Sequence, residues 1–142
     1  MNRPNGFTLI ELVVVIVILG LLAATAIPRF INITRDARIA SVSGVAGGLR
    51  AAAALAKSHV QVNGSTGGTI QMDGVPVVVN ASGYPITDTT GIAQALPSPE
   101  GWNVAHGGTT STYRPPNAPD PANCQALYDE DTGQVTTASS GC

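Results

Sequence analysis

The chain has 142 residues, a formal net charge of −2, and charged side chains at 11% of its positions. When the apolar N-terminal run is set aside, the remaining length suits one small domain and is too short for two. The slightly acidic balance offers no basic surface for a nucleic acid, so no nucleic-acid partner is expected.

An apolar run occupies residues 7–27, directly after the polar hexapeptide MNRPNG. As an α-helix this run would be about 30 Å long, which matches the hydrocarbon core of a bilayer. Arg3 and the amino terminus are expected to stay on the cytoplasmic side, because positive charges flanking a membrane helix are retained there. The sequence therefore predicts a membrane-spanning helix with the bulk of the chain outside.

The apolar run contains one formal charge, Glu11. Two interpretations of it stay open. In the first, TLIE is a capping box, in which Thr8 and Glu11 bond each other's backbone amides at the start of the helix. The second requires a cut between Gly6 and Phe7. The new α-amine of Phe7, with an ordinary pKa of about 8, would then be charged and would neutralise Glu11 of an adjacent copy.

The helical pattern continues beyond the apolar run. Apolar positions after Pro28 recur at helical spacing with arginines interleaved, which predicts one helix from about residue 8 to about residue 59, with a bend or break allowed near Pro28. Proline lacks an amide hydrogen and glycine is conformationally loose, so Pro28 and Gly20 are predicted weak points of this helix. Gly44, Gly47 and Gly48 weaken the helix locally, by about 1 kcal/mol each relative to alanine, and small residues at that spacing would let another helix or a sheet approach closely.

From residue 64 the composition shifts to glycine, threonine, serine and proline, which predicts a small β-rich head. The stretch GTIQMDGVPVVVN predicts two strands around an Asp73-Gly74 turn. A short helix is expected before Pro97, and a loop-rich region over residues 98–123 with at most one strand, near residues 102–105. The stretch CQALYDEDTGQVTTAS predicts a final hairpin. The predicted fold class is α+β, a long N-terminal helix packed on an antiparallel head.

Cys124 and Cys142 are the two cysteines, and a disulfide between them would tie down the end of the chain. Such a bond implies an oxidising compartment, in agreement with a head outside the cytoplasm. Two unpaired thiols are the alternative. His59 and His106 lack ligand spacing to a second imidazole or thiol, so no metal or cofactor is expected. No arrangement of nucleophile, base and acid is recognisable, so the protein is not expected to be an enzyme.

The stretch GFTLIELVVVIVILGLLAATAIPRF resembles the N-terminus of a type IV prepilin in its short basic leader, its Gly6/Phe7 junction, Glu11, Gly20 and Pro28. This resemblance implies cleavage after Gly6 by a membrane prepilin peptidase and N-methylation of Phe7. It also implies helical polymerisation, with the N-terminal helices bundled in the filament core. The short leader resembles the type IVa group. The segment after Pro28 and the C-terminal cysteines are similar to mannose-sensitive haemagglutinin-type pilins.

The resulting domain plan has a cleaved leader (1–6), a membrane or filament-core helix (7–27), an amphipathic helix (28–60) and a head (61–142). The resemblance implies a structural pilus subunit that partners with identical subunits, the prepilin peptidase and the assembly machinery. It would reside in the inner membrane as a precursor and outside the cell in a filament for adhesion or motility. One alternative is a pseudopilin or minor pilin of a type II secretion or DNA-uptake machine. Another class, a membrane-anchored binding protein that never polymerises, would require none of Gly6, Phe7 and Glu11.

Overall fold

The computed structural model describes residues 6–142, apart from the side chains of residues 26–32. The chain divides into two compact units, Met1–Asp36 and Ala37–Cys142. The elements in chain order are helix α1 (Leu9–Asn63), strands β1 (Gly68–Met72) and β2 (Val75–Val79), helix α2 (Ile92–Ala95), strands β3 (Asn103–Gly107) and β4 (Thr110–Arg114), a short 3-10 helix (Pro121–Asn123), and strands β5 (Gln125–Asp129) and β6 (Val135–Ala138).

Helix α1 ends just before a residue whose backbone adopts the left-handed conformation. Gly64 has φ +66°, and the N–H of Ser65 donates to the carbonyl of Val60 at 3.2 Å. This is the Schellman arrangement that closes many helices, so α1 continues about four residues beyond the predicted end. The helical backbone includes the positions of Gly20 and Pro28. The predicted weakness there stays a prediction, and the side chain of Pro28 lies outside the described residues.

In the second unit, one face of α1 forms one side of the hydrophobic core of the head. Its small and aliphatic side chains are buried because the strands pack directly on them. A first core cluster joins this face to α2 and to strands β4, β5 and β6, with Tyr113 and Tyr128 as its largest side chains. A second, smaller cluster joins the last turns of α1 to the β1–β2 hairpin. The α1 residues buried in the two clusters are Val42, Ala46, Leu49, Ala52, Ala53, Ala56 and Val60.

The strands form two antiparallel sheets, a β1–β2 hairpin and a four-stranded sheet in the order β3-β4-β5-β6. The hairpin turns at Asp73 (φ 50°) and Gly74 (φ 79°), as predicted, because the type I′ turn needs positive φ at both central residues. The predicted final hairpin, β5–β6, is also present. The α+β class with an antiparallel head is confirmed.

The prediction of at most one strand in residues 98–123 was wrong. That region contains both β3 and β4, paired over five residues on each side of a turn at Gly108 and Thr109. Its run of glycines and threonines is typical of a loop. Its strand structure depends on burial of Ser111 and Tyr113 against the rest of the sheet, which local composition does not report.

A disulfide and two arginine side chains help to hold the C-terminal segment in place. Cys124 and Cys142 form the predicted disulfide, with a sequence separation of 18, and both are buried. A loop of this size stabilises a domain by about 3 kcal/mol in the chain-entropy model. Arg38 donates to the carbonyl of Cys142 at 3.1 Å, and Arg50 donates to the carbonyl of Val135 at 2.9 Å. These bonds hold the last hairpin against α1.

Removing the hydroxyl groups of the two buried tyrosines should change the free energy of unfolding in opposite directions. Tyr128 donates to the carbonyl of Pro85 at 2.8 Å, whereas the buried hydroxyl of Tyr113 has no hydrogen-bond partner within the described part of the chain. We expect Tyr113→Phe to raise the free energy of unfolding by about 1 kcal/mol and Tyr128→Phe to lower it by about 1–2 kcal/mol. Urea unfolding of the detergent-solubilised chain measures both changes, and changes of the same sign would contradict this account.

The same pair predicts a loss of stability in alkali. Burial raises the pKa of Tyr113 to about 12, and burial together with the nearby Glu130 carboxylate raises the pKa of Tyr128 further. The tyrosines of the unfolded chain ionise near pH 10. The contribution of the two buried, neutral tyrosines to the free energy of unfolding is therefore complete below that pH and is lost as the pH rises toward 12. Tyr113→Phe should flatten the alkaline fall in stability.

Candidate functional site

The start of α1 contains the capping box that its sequence predicts. The Thr8 N–H and the Thr8 hydroxyl both donate to Oε2 of Glu11, at 2.8 Å and 2.7 Å. In return the Glu11 N–H donates to Oγ1 of Thr8 at 3.3 Å. These reciprocal bonds satisfy amides that the first helical turn would otherwise leave unpaired. The local interpretation of Glu11 is therefore realised in the folded chain.

The cap uses only part of the Glu11 carboxylate. Both Thr8 bonds end on Oε2, which leaves Oε1 without a hydrogen bond to the described residues. Glu11 and Phe7 lie on one open groove of about 390 Å³, whose other walls are Ile10, Val14 and Val15. Phe7 itself is 93% exposed. The carboxylate is thus accessible for a cation from outside the chain, next to an apolar surface that would exclude water from such a contact.

The segment Leu9–Thr25 exposes apolar side chains around its whole circumference. Its large hydrophobic residues are all at least 42% exposed. Among the described residues, the helix that by length and composition could cross a membrane is Ile33–Asn63, with a mean hydropathy of 1.4. One third of its most apolar stretch is buried, however, and those side chains belong to the hydrophobic core of the head. The uncovered surface of Leu9–Thr25 is therefore the better candidate for lipid.

The head contains a polar cluster that sequence reasoning missed. Nδ1 of His106 lies 2.8 Å from Oγ of Ser111 across the β3–β4 hairpin. Although burial acts to raise the pKa of Asp88, bonds from Thr90 and Gly91 and the charge of His106 lower it below its ordinary value. The available signal was Gly108, because a two-residue turn at Gly108 and Thr109 makes His106 and Ser111, five residues apart, face each other. Ser111 is fully buried, so its hydroxyl does not reach a substrate.

The other histidine borders a groove rather than a metal site. His59 lines an open cleft of about 520 Å³ together with Leu55, Met72, Val75 and Asp73. Asn63 donates its side-chain N–H to the His59 carbonyl at 2.9 Å. Within the described part of the chain, no group of three or more His, Cys, Asp or Glu side chains is placed to hold a metal ion.

Comparison with known proteins supports an assignment at the level of the family. Residues 1–27 match the model of the prokaryotic N-terminal methylation motif. Over 121 residues the chain is 34% identical to the type IV narrow pilus major component PilA5 of Thermus thermophilus, covering 78% of this chain and 94% of that protein. It is 48% identical over 44 residues to the type IV major alpha-pilin of Moraxella bovis, covering 31% and 28% of the two chains.

A third relative, the type IV major fimbrial protein FimA of Dichelobacter nodosus, is 45% identical over 51 residues, covering 36% of this chain and 33% of FimA. No solved structure matches the chain significantly. The N-terminal motif and the nearly full-length similarity to one pilus component agree with the long helix and antiparallel head. The chain belongs to the type IV pilin family.

Proposed function

We propose that this protein is a structural subunit of a type IV pilus, which polymerises through its N-terminal helix into an extracellular filament. The observation that carries the proposal is the uncovered apolar surface of Leu9–Thr25. A helix that is apolar all round is stable only inside lipid or among other apolar helices. The membrane would cover it in the precursor, and neighbouring copies would cover it in the filament.

Processing at the Gly6/Phe7 junction would complete the assembly site. Cleavage creates a charged amine on Phe7, which lines the same open groove as Glu11, whose Oε1 has no hydrogen bond to the described residues. An incoming subunit would be held where its Phe7 amine meets Glu11 of a subunit already in place. A buried charge without its partner costs several kcal/mol, so the pair would fix the register of one helix against the next.

Mass spectrometry and electron microscopy of filaments sheared from native cells test this proposal together. We expect the intact mass of the purified subunit to correspond to a chain that begins at Phe7 and carries one methyl group on its amine. Filaments built of chains that begin at Met1 would contradict the processing step. Native surface filaments that lack the protein would contradict the pilus role.

A stripe of small residues on the second half of α1 supports helix-to-helix packing in the filament. Gly44 and Gly47 are exposed, and a Cβ added at either would meet nothing within 4 Å, so the subunit itself does not require glycine there. At Gly48, in contrast, a Cβ would lie 3.0 Å from Leu96. Each helical glycine costs about 1 kcal/mol relative to alanine. The stripe continues at the same 3–4 spacing and consists of Ala40, Gly44, Gly47, Ala51, Ala54 and Ser58, all exposed.

The positions of Gly20 and Pro28 would let the subunit lengthen in the filament. In lipid, the backbone between them has no hydrogen-bond partner other than the helix itself, so it stays helical. Among packed helices and altered solvation, an extended stretch could be tolerated. We expect a filament map to show extended backbone within residues 20–28, and Pro28→Ala to give stiffer fibres. Continuous α-helix through this segment in every subunit would contradict the expectation.

Adhesion and motility would follow from the filament rather than from a catalytic centre. The relatives are named as major pilus components, which favours a major subunit over a minor pilin or a pseudopilin. The disulfide fits a head that matures outside the inner membrane, as does the cytoplasmic N-terminus that Arg3 predicts.

A further inference from the structure

Strand edges in the head can be followed one by one, because strand register determines which backbone groups face outward. In an antiparallel pair, residues alternate between those whose N–H and C=O face the partner and those whose groups face away. A strand with outward groups and no covering element is a template for pairing with another chain. The two sheets have four edge strands, β1, β2, β3 and β6.

Within the subunit, the β2 edge is covered and the β6 edge is covered in part. On β2, the Val78 N–H donates to the Thr90 carbonyl at 2.9 Å, and the Val78 carbonyl accepts from the Ile86 N–H at 3.1 Å. On β6, the outward carbonyl of Val135 accepts from Arg50 of α1 at 2.9 Å, whereas Thr137, the other outward-facing residue of that strand, makes no outward backbone hydrogen bond to the described residues.

The β1 edge is open. Val78 faces away from β1, so its cross-strand partner Thr69 faces away from β2, and by alternation Gln71 does too. Both residues are exposed. Within the described part of the chain, neither residue makes an outward backbone hydrogen bond.

The β3 edge is open as well. The Glu130 N–H donates to the Thr109 carbonyl at 3.0 Å, which sets the alternation along β4. It follows from the β3–β4 register that Val104 and His106 turn their backbone groups away from β4. Among the described residues, no backbone bond to these outward groups is formed.

We propose that the open β1 edge of one subunit pairs with the open β3 edge of a second copy, so that the sheet continues from head to head along the filament. The inference rests on the proposed polymerisation. In a filament built by one repeated rotation and translation, each contact must join two unlike surfaces, because like surfaces close a dimer. Strands β1 and β3 provide two unlike edges on which no outward backbone group is bonded to the described residues, and each strand is five residues long.

Charge does not oppose pairing at these two edges. Residues 37–142 contain four Lys or Arg and seven Asp or Glu, so two heads repel each other overall. Strands β1 and β3 contain no Lys, Arg, Asp, Glu or Pro, the residues that commonly block edge pairing. Two acidic heads can therefore approach at these edges without like charges on the two strands facing each other.

The burial pattern selects a parallel pairing. Gln71 points to the solvent face of its sheet, as does Ala105, whereas Val104 and His106 point to the inner face. In a parallel pairing, Gln71, whose backbone groups face away from β2, lies beside Ala105. The exposed side chains of the two strands then stay on one face of the continued sheet. Antiparallel pairing sets Gln71 beside Val104 or His106 and mixes the two faces, because side chains alternate with a period of two.

Amide hydrogen exchange tests the pairing directly. The probe is site-resolved exchange on assembled filaments and on detergent-dispersed full-length subunits. We expect the outward amides of Thr69, Gln71, Val104 and His106 to exchange at least tenfold more slowly in filaments. The amide of Ile70 faces β2 and serves as an internal reference that is protected in both states. Equal exchange at the four outward amides in the two states would overturn the inference.

A proline variant provides the matched test of assembly. Gln71→Pro removes the outward N–H together with the glutamine side chain, a change that an edge strand tolerates, whereas Gln71→Ala removes the side chain and keeps that N–H. We expect Gln71→Pro to form filaments at least tenfold less than Gln71→Ala, with both variants folded by circular dichroism. Equal filament yields would contradict the edge pairing alone. Failure of the unaltered protein to form filaments at all would instead contradict the proposed function.

Discussion

Glu11→Gln should insert in the membrane, be processed normally, and form almost no filaments. Glutamine at the third helical position can still complete a capping box with Thr8, but it has no charge to neutralise the Phe7 amine of a neighbour. An unpaired buried amine costs about 3 kcal/mol or more, which corresponds to about a hundredfold loss of assembly. The filament yield from cells, normalised to membrane-inserted subunit, measures the effect.

Thr8→Val is the matched control for the cap. This change removes the hydroxyl that bonds Oε2 but leaves the Glu11 charge in place. A cap contributes about 1 kcal/mol, and lipid already favours the helix, so filaments should still form. If Glu11→Gln assembled normally while Thr8→Val did not, the capping box would be the whole role of Glu11.

Gly47→Leu should stabilise the subunit and yet prevent its assembly. A Cβ at this position meets nothing within 4 Å, and leucine favours a helix by nearly 1 kcal/mol over glycine, so the free energy of unfolding should rise. In the filament, the larger side chain would hold apart two helices that approach at the small-residue stripe. Overpacking of this kind costs about 1–3 kcal/mol at each contact.

Gly47→Ala is the control at the same position. Alanine gives the same gain in helix stability but remains small enough for close approach, so the variant should assemble. Urea unfolding and electron microscopy of the two variants separate stability from assembly. Normal filaments from Gly47→Leu would show that the exposed face of α1 does not pack against a neighbouring helix.

The sequence by itself determined the elements whose cause is local. The capping box of Thr8 and Glu11, the Asp73-Gly74 turn and the helical periodicity after Pro28 depend on residues a few positions apart, and the fold contains the corresponding cap, turn and helix. The disulfide was predictable because two cysteines leave one pairing.

Only the tertiary structure decided the β3–β4 hairpin, the contact of His106 with Ser111, and which strand edges remain open. Each of these depends on groups brought together across the head. The glycine- and threonine-rich segment becomes two strands because β5 and α1 provide a surface that buries Ser111 and Tyr113. The β6 edge is covered at Val135 because Arg50, 85 residues earlier in the chain, reaches its carbonyl from α1. Such distant contacts leave no periodic signal in the sequence, since they depend on how elements pack and not on how each one forms.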